Sequence, residues 1–178
     1  MLVLIIKIAV FLACSALLLW VSWKPLKDPH AHGFYRFFAW EVIVAIVLLN
    51  ADVWFRDPFS PLQVASWILL IICIVLVIHG FYLLRVIGRP SGNFEHTTVL
   101  VEKGAYKYIR HPLYSSLLFL AWGAFLKDIS YISLILVVAA TIFLVLTARA
   151  EEKENVARFG KAYTDYMIKT RMFIPFVF

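Results

Sequence analysis

Arg110 and His111 stand directly before Pro112 in the stretch GAYKYIRHPLYSS, residues 104–116. Proline suits the first turn of a helix and keeps the residue before it out of helical conformation. The sequence therefore predicts a helix that begins at Pro112, with unpaired backbone N–H groups in its first turn. Such a helix start attracts a carboxylate or a phosphate, and Arg110 and His111 add positive charge beside it. The alternative is an interfacial anchor, because Tyr, Lys and Arg are common at the boundary of a membrane.

A pair of carboxylates, Glu151 and Glu152, follows the last apolar stretch of the chain. A solvated, charged helix is the simpler interpretation of this tail, and Glu154 fits it. Acidic residues are less expected at a helix end where Lys and Arg otherwise collect. If the topology returns the pair to the membrane face that holds His111, a helix start and two carboxylates share one cavity. Such a cavity would hold a zwitterion, with its carboxylate on the helix start and its ammonium on a glutamate.

The composition excludes a soluble domain. Of the 178 residues, 63% are hydrophobic and 16% are charged, and the mean hydropathy is +0.87. A domain of this size cannot bury so much apolar surface, so lipid must surround it. The net charge of +6 fits the collection of basic residues on one side of a membrane better than nucleic-acid binding. Cys14 and Cys73 lie within apolar stretches, and neither they nor the isolated His30 and His32 indicate a disulfide or a metal site.

Five apolar stretches predict an all-α, polytopic membrane protein. Crossing the hydrocarbon core takes roughly 20 helical residues, and the candidates are residues 2–20, 37–55, 62–84, 113–126 and 131–148. The fourth reaches only about 21 Å at 1.5 Å per residue, so it either does not cross fully or begins below the headgroups. Its link to the fifth is short, which predicts a tight helical hairpin, and a further helix follows at the C-terminus. We expect one integrated domain in which residues 1–96 form the first three helices and residues 97–178 bind a cofactor.

The basic residues predict the orientation. Fourteen of the 17 Lys and Arg residues lie in the segments that five crossings would place on one side. These segments are residues 23–36, residues 85–112 and the tail from residue 149. We therefore expect the N-terminus outside, and the C-terminus and active site in the cytosol, of a prokaryotic inner or plasma membrane.

Two polar residues within the apolar stretches allow more than one role. Glu41 caps its helix or pairs with Arg36, or else it lines a substrate cavity. For His79, hydrogen-bonded packing between helices is favoured over catalysis.

The segments TTVLVEKGAYKYIRHPLY, residues 97–114, and EEKENVARFGKAYTDYM, residues 151–167, followed by a Pro at 175, carry a resemblance. Together they resemble the integral-membrane methyltransferases of the isoprenylcysteine carboxyl methyltransferase and phospholipid methyltransferase superfamily. Five motif elements recur in order over nearly half of the chain, whereas the first three helices match only as apolar spans.

The resemblance implies S-adenosylmethionine as the cofactor, whose methionyl end is a zwitterion. It implies a cofactor cradle at the start of the fourth helix, main-chain contacts from residues 98–101, and Glu151 at the cofactor's amine. The cofactor-binding residues expected on this basis are Thr98, Val99, Leu100, Val101, Gly104, Tyr106, Arg110, His111, Pro112, Leu113, Tyr114, Glu151 and Glu152.

The catalytic residues that the resemblance implies are Glu151, Arg149 and His111. The family tends to place a substrate-side Arg four residues before its glutamate, where this chain has Thr147; Arg149 is the nearest basic residue. The expected acceptor is a lipophilic, membrane-borne molecule, either an isoprenylcysteine-like carboxylate or a lipid headgroup. Since the sequence shows few possible general bases, a carboxylate or a soft nucleophile is favoured over an amine. An isoprenoid acid and a small lipophilic thiol or amine remain open as further acceptors.

Two other functions compete with methyl transfer. NADPH-dependent sterol reductases also contain Arg-His-Pro, but they continue with Asn-Tyr and Gly-Glu, where this chain has Leu113-Tyr114 and Ser116-Leu117. A non-catalytic membrane protein would explain the apolar helices, but not two polar clusters on one face.

Overall fold

The computed structural model describes residues 1–90 and 97–177, and the expected boundary at residue 96 lies outside these ranges. The described residues form six α-helices: α1 (Leu2–Ser22), α2 (His32–Leu49), α3 (Pro61–Val86), α4 (Pro112–Phe125), α5 (Tyr131–Phe159) and α6 (Lys161–Lys169). Four of them, α1, α2, α3 and α5, are long and apolar enough to cross a membrane, and α4 is a shorter apolar helix. The chain is thus an all-helical polytopic membrane protein, as predicted.

The helix ends follow local sequence signals. Ser60 accepts a hydrogen bond from the Gln63 backbone N–H, and Pro61 occupies the first turn of α3. Ser130 and Ser133 form a reciprocal capping box at the start of α5. Gly160, with a φ of +58°, separates α5 from α6, because a left-handed backbone angle interrupts the helix at little cost for glycine.

The helices pack as two main pairs, α2 against α5 and α3 against α4, and α4 also contacts α2 and α5. The core between them contains fully buried small residues, including Ala121 and Ala124 on α4 and Ala140 on α5. Small side chains let helix backbones approach closely in a membrane, where the hydrophobic effect gives little drive for association. Helix α1 packs on the outside of α2, where Ser15 donates a hydrogen bond of 2.7 Å to Glu41.

Three predicted boundaries were wrong. The second helix begins at His32 instead of residue 37 and ends at Leu49 instead of residue 55. It ends there because the Asn50 side chain leaves the helix and donates to the carbonyls of Ala124 and Asp128. The fifth helix continues past residue 148 to Phe159. Glu151 and Glu152 consequently lie within α5, which continues for seven residues beyond Glu152.

The C-terminal segment pairs with the stretch that leads into α4. Arg171 donates its backbone N–H to the Tyr108 carbonyl, at 3.0 Å, and its own carbonyl accepts from Arg110 N–H, at 2.8 Å. The His111 N–H donates to the Met172 carbonyl at 3.2 Å. Residues far apart in sequence thereby fix the backbone of the Arg-His-Pro motif.

Candidate active site

Helix α4 begins at Pro112, as the sequence predicted, and His111 is its N-cap residue with φ −122° and ψ 61°. The Ser115 hydroxyl donates to the carbonyls of His111 and Phe173, which holds this first turn against the C-terminal segment. The His111 ring is 4% exposed and stacks on Tyr114 with the ring centres 5.4 Å apart. The helix start is therefore a rigid, buried platform.

A cavity of about 230 Å³ opens beside this helix start. Its walls come from α2, α3, α4, α5 and α6 and from the loop between α3 and α4. The lining residues are Arg36, Trp40, Val77, Phe81, Leu84, Thr97, Leu100, Val101, Tyr106, Arg110, His111, Leu113, Tyr114, Ser116, Leu117, Glu151, Asn155, Phe159, Tyr163 and Tyr166.

The two adjacent glutamates have different environments, because neighbouring residues of a helix point about 100° apart. Glu151 lines the cavity, and its carboxylate is 3.9 Å from His111 Nδ1. Glu152 is 8% exposed and lies outside the cavity lining. Its carboxylate accepts a hydrogen bond of 2.6 Å from Arg110 Nε and lies 3.4 Å from His111 Nε2. Glu151 is thus the carboxylate that can meet a ligand, whereas Glu152 holds Arg110 and His111 in place.

Arg110 connects the site to α6. Besides the ion pair with Glu152, its Nη1 donates to the carbonyls of Met167 and Thr170, at 3.2 and 2.6 Å. A guanidinium satisfies several acceptors with one planar group, and here it caps the C-terminal end of α6, where the helix dipole favours a positive charge. Arg110 lines the cavity while most of its hydrogen bonds hold the structure together.

Tyr114 shares the cavity wall with two charged side chains. Glu151 of α5 and Arg36 of α2 line the cavity with it, and both charges act electrostatically on the Tyr114 hydroxyl. Helix α2 has no motif of its own, yet it contributes one of these charges.

Three buried tyrosines, Tyr106, Tyr163 and Tyr166, line the cavity where α6 meets the loop before α4. The Tyr166 hydroxyl donates a hydrogen bond of 2.6 Å to the Tyr106 carbonyl and thereby joins α6 to the short 3-10 helix Gly104–Lys107. Burial raises the pKa of Tyr106 well above its usual range, and the negative charge of Glu151 raises it further. Burial likewise raises the pKa values of Tyr163 and Tyr166. All three side chains stay neutral at physiological pH and can act as hydrogen-bond donors.

Gly104 positions the loop and does not line the cavity. Its φ is +56°, which disfavours residues with a side chain, and a Cβ there would collide with His79 and Leu83 of α3. His79 therefore lies beside the loop, and it is an exposed residue of α3.

The structure brings together most of the predicted site residues. The cavity lining includes Leu100, Val101, Tyr106, Arg110, His111, Leu113, Tyr114 and Glu151. The remaining cofactor-binding candidates lie outside the lining, and Thr98 donates to the Arg89 carbonyl. They are Thr98, Val99, Gly104, Pro112 and Glu152. Arg149 is exposed and is not among the lining residues, so the geometry does not bring this side chain to the others.

Several lining residues were missed by the sequence analysis. Asn155 and Phe159 follow Glu151 at intervals of four residues, and this helical spacing is a signal that could have identified them. Arg36 and Trp40 share a face of α2 at the same interval, but nothing in their sequence context distinguishes that face from the rest of the helix.

The expectation that Glu154 is solvated was wrong. Its carboxylate accepts the His32 backbone N–H at 3.0 Å and lies 2.7 Å from His32 Nδ1. The first turn of α2 has unpaired N–H groups and no side-chain cap of its own. Glu154 of α5 supplies that cap, and so it ties α2 to α5.

Comparisons with known proteins agree with this geometry. The family model described as phospholipid methyltransferase matches residues 62–164, which include α3, α4, α5 and most of the cavity lining. A methanethiol S-methyltransferase of Crocosphaera subtropica is 27% identical over 67% of this chain and 47% of its own length. A methanethiol S-methyltransferase of a Pseudomonas species is 23% identical over 89% of this chain and 54% of its own.

A third relative, methanethiol S-methyltransferase 1 of Bradyrhizobium diazoefficiens, is 24% identical over 93% of this chain and 52% of its own length. The chain spans about half the length of these curated relatives.

Proposed function

The chain belongs to the phospholipid methyltransferase family, and on this basis we propose that it transfers a methyl group from S-adenosylmethionine to a lipophilic acceptor. The observation that carries the proposal is the position of Glu151, which shares one cavity with the N-terminal turn of α4. A zwitterion needs a carboxylate and an anion-binding group at close range, and this pair provides both.

The residues of the cavity suit S-adenosylmethionine by their chemistry. The Glu151 carboxylate would accept the ammonium, and the N–H groups at the start of α4 would meet the carboxylate of the methionyl end. Leu100, Val101 and Phe159 offer apolar surface for the adenine base of the cofactor. The cofactor supplies a methyl group that is already electrophilic because it is bound to a positively charged sulfur. The protein's part is to orient the acceptor and exclude water.

The acceptor is proposed to arrive from the membrane. Val77 and Phe81 line the cavity, are 42% and 39% exposed, and belong to α3, a candidate membrane-spanning helix. These two apolar side chains support an entry for an apolar molecule that diffuses in the bilayer.

A thiol is the acceptor that we favour. The three relatives carry the name methanethiol S-methyltransferase, and a thiolate is a strong, soft nucleophile that needs little further activation. The second candidate is an acceptor on a lipid tail, either a prenylcysteine-like carboxylate or a lipid headgroup. The apolar wall formed by Val77 and Phe81 would accommodate a lipid tail as readily as a small thiol.

The cofactor is tested by thermal stability in detergent. We expect S-adenosylhomocysteine to stabilise the protein by about 2.7 kcal/mol at one hundred times its dissociation constant, because a ligand of the native state shifts the unfolding equilibrium. NADPH is the comparison ligand, since the reductase interpretation requires it. Stabilisation by NADPH without stabilisation by S-adenosylhomocysteine would refute the proposed cofactor.

The acceptor is tested with labelled S-adenosylmethionine and three substrates: a small alkyl thiol, a prenylcysteine, and vesicles that contain phosphatidylethanolamine. We expect label in the thioether product of the thiol. Label in the prenylcysteine ester or in the lipid instead would replace the thiol with the second candidate. No labelled product with any of the three would contradict the proposed reaction.

A further inference from the structure

An exposed apolar surface lies next to the backbone of the Arg-His-Pro motif. Phe176 is 83% exposed, and the centre of its ring lies 6.2 Å from the centre of the Tyr108 ring. Ile174 and Val177 are exposed as well, and the Val177 N–H donates to the Ile174 carbonyl at 3.3 Å, which closes a turn around Phe176. We call Tyr108, Ile174, Phe176 and Val177 the C-terminal surface.

Phe176 adopts a backbone conformation that disfavours residues with a side chain. Its φ is +66°, and for a bulky residue this left-handed region is uncommon and strained. Burial within the protein does not offset the strain, because the ring is exposed. An apolar environment that covers the ring from outside the protein would offset it.

Two cations lie beside the C-terminal surface. The Lys107 ammonium is 5.8 Å from the centre of the Tyr108 ring, and Arg171 pairs with Tyr108 through its backbone while its side chain is exposed. Of the ion pairs that the described residues form, none includes Lys107 or Arg171. Exposed aromatic rings beside such cations fit the boundary of a membrane, where apolar chains meet negatively charged headgroups.

The position of this surface along the bundle agrees with that environment. Helix α4 ends beside the start of α3, where Lys127 donates to the Gln63 side chain at 2.9 Å. From there the 14 residues of α4 reach back about 21 Å, whereas the hydrocarbon core is about 30 Å thick. The residues just before α4, among them Tyr108, therefore lie near the boundary of the membrane and not far outside it.

The C-terminal surface is connected to the candidate site through the backbone. The Arg171 N–H donates to the Tyr108 carbonyl, and the Arg171 carbonyl accepts from the Arg110 N–H. Phe173, two residues further along, is buried, and its ring centre lies 6.3 Å from that of His111. A partner that holds the C-terminal surface consequently also holds the backbone that leads into α4.

We propose that the C-terminal surface, with Lys107 and Arg171, binds anionic phospholipids of the surrounding membrane and thereby stabilises the start of α4. The apolar side chains enter the lipid layer, and the two cations meet the headgroup phosphates. This contact is separate from the proposed acceptor, since none of these six residues lines the cavity. A second copy of the same surface is a poorer partner, because a symmetric contact would bring like charges together.

The test is hydrogen exchange of the full chain in nanodiscs of phosphatidylcholine, with and without phosphatidylglycerol. No cofactor is added, so the result does not depend on the proposed function. Mass spectrometry follows the amides of residues 107–111 and 168–177. We expect phosphatidylglycerol to slow their exchange about fivefold for each cation that it engages, because one cation near an anionic surface contributes about 1 kcal/mol and a ligand of the closed segment suppresses its opening.

Three variants test the parts of the surface. Phe176→Ser removes the exposed ring, and Lys107→Gln and Arg171→Gln each remove one cation. We expect the slowing by phosphatidylglycerol to be lost in Phe176→Ser and to be about fivefold smaller in each charge variant. Residues 131–137, at the start of α5, should exchange equally in both lipids and in every variant, which shows that the variants are folded.

Lys27→Gln is the matched control. Lys27 is exposed and lies 5.6 Å from the centre of an exposed ring, that of Trp23, as Lys107 does over Tyr108. It belongs to the link between α1 and α2 and not to the C-terminal surface. This variant changes the net charge as Lys107→Gln does, and it should respond to phosphatidylglycerol as the wild type does.

Several results would overturn the inference. Equal exchange of the wild type in both lipids is one, and an unchanged response in Phe176→Ser is another. A response that Lys27→Gln loses as Lys107→Gln does would indicate a general effect of charge. Slower exchange that requires two copies in one disc, whatever the lipid, would assign the surface to a second copy of the chain instead.

A consequence for cofactor binding rests on the proposed function. The N–H groups at the start of α4 would meet the carboxylate of the methionyl end, so S-adenosylhomocysteine should bind more tightly when phosphatidylglycerol is present. Phe176→Ser should remove this difference. If the wild type binds the ligand in neither lipid, the proposed function fails, while the exchange measurement still decides the lipid contact. Equal affinity in both lipids would refute only the effect of the surface on the site.

Discussion

Glu151 and Glu152 are chemically identical neighbours whose roles follow from their surroundings. Glu151 lines the cavity, whereas Glu152 is buried beside Arg110. Glu151→Gln keeps the side-chain size and removes the charge that would meet the ammonium of the cofactor. Losing one partner of such a pair costs on the order of 2–4 kcal/mol, which is roughly a 30- to 1000-fold loss of affinity. Calorimetry with S-adenosylhomocysteine measures this loss.

Asp165→Asn is the control for that measurement. Asp165 is an exposed carboxylate on α6, and its substitution should leave the affinity unchanged. If Glu151→Gln and Asp165→Asn bind the ligand equally well, Glu151 does not hold the ammonium.

Glu152→Gln should produce the complementary result. Glu152 pairs with Arg110, and the side chains of both are 10% exposed. Removing one charge from a buried ion pair leaves the other uncompensated and typically costs about 3–5 kcal/mol. We therefore expect Glu152→Gln to lower the stability of the ligand-free protein, measured by thermal unfolding in detergent, while Glu151→Gln leaves it nearly unchanged. Equal stability of the two variants would contradict the assignment of Glu152 as a positioning residue.

The sequence predicted Glu151 but not Arg36 for a physical reason. Glu151 belongs to a run of polar residues whose spacing relative to Arg-His-Pro resembles a known family. Arg36 stands alone near the start of a helix that is apolar on most sides, where an interfacial anchor is the ordinary interpretation. Only the packing of α2 on α5 turns Arg36 toward the cavity, and that packing leaves no local signal in the sequence.

At the scale of the secondary-structure elements, a hydrogen bond holds α6 against the loop that lines the cavity. Tyr166 donates to the Tyr106 carbonyl at 2.6 Å and is 3% exposed. Tyr166→Phe leaves this buried carbonyl without its partner and should cost about 1–3 kcal/mol of stability. Thermal unfolding in detergent at pH 7 measures the loss, and Tyr131→Phe, at an exposed position, is the control.

The alkaline range gives an independent check of the same contact. Burial raises the pKa of Tyr166 above its usual range, so the unfolded chain loses this proton at a lower pH than the folded protein. The stability that the buried phenol contributes is present below about pH 10, the usual pKa of tyrosine, and is lost as the pH rises further. The stability of the wild type should fall more steeply above pH 10 than that of Tyr166→Phe. Parallel decreases would indicate that Tyr166 ionises as freely in the folded protein as in the unfolded chain.

Hydropathy located the helices well but not their ends. The starts of α3, α4 and α5 agree with the sequence prediction to within one residue, because Pro61, Pro112 and the Ser130 cap are local signals. The end of α5 was missed by eleven residues, since the hydropathy falls where the helix leaves the apolar layer while its hydrogen bonding continues to Phe159. Hydropathy thus marks the edge of the apolar layer, whereas hydrogen bonding determines where the helix ends.

At the scale of the whole molecule, the short link predicted that α4 and α5 are neighbours, but the two main pairs, α2 with α5 and α3 with α4, could not be predicted. In lipid, a helix can be apolar on every side, so periodicity does not mark the face that packs. The link between α2 and α5 through His32 and Glu154, 122 residues apart, depends on that pairing. For the same reason the sequence could assign Glu154 only to a solvated surface.

The contacts around Lys127 bear on whether α4 crosses the membrane. Lys127 donates to the Gln63 side chain at 2.9 Å, and the Gln63 amide donates to the Lys127 carbonyl at 3.1 Å. The Lys127 ammonium also lies 3.5 Å from the centre of the Trp67 ring. The end of α4 therefore reaches the same end of the bundle as the start of α3, although α4 has 14 residues and α3 has 26. Because α4 is shorter, its start lies nearer the middle of the bundle than the end of α3 does. The cavity opens beside this start of α4.

We therefore predict that reporters inserted in the 56–60 and 127–130 links lie on the same side of the membrane, and that a reporter after residue 178 lies on the other. The basic residues assign the first two to the outside and the last to the cytosol. Paired alkaline phosphatase and green fluorescent protein fusions distinguish the sides, and a fusion in the 28–31 link should report the same side as the one after residue 178. A cytosolic signal at 127–130 with an outside signal at 56–60 would mean that α4 does not cross. Cytosolic signals at both links, with an outside signal after residue 178, would reverse the orientation and place the cavity and its acceptor on the outer side.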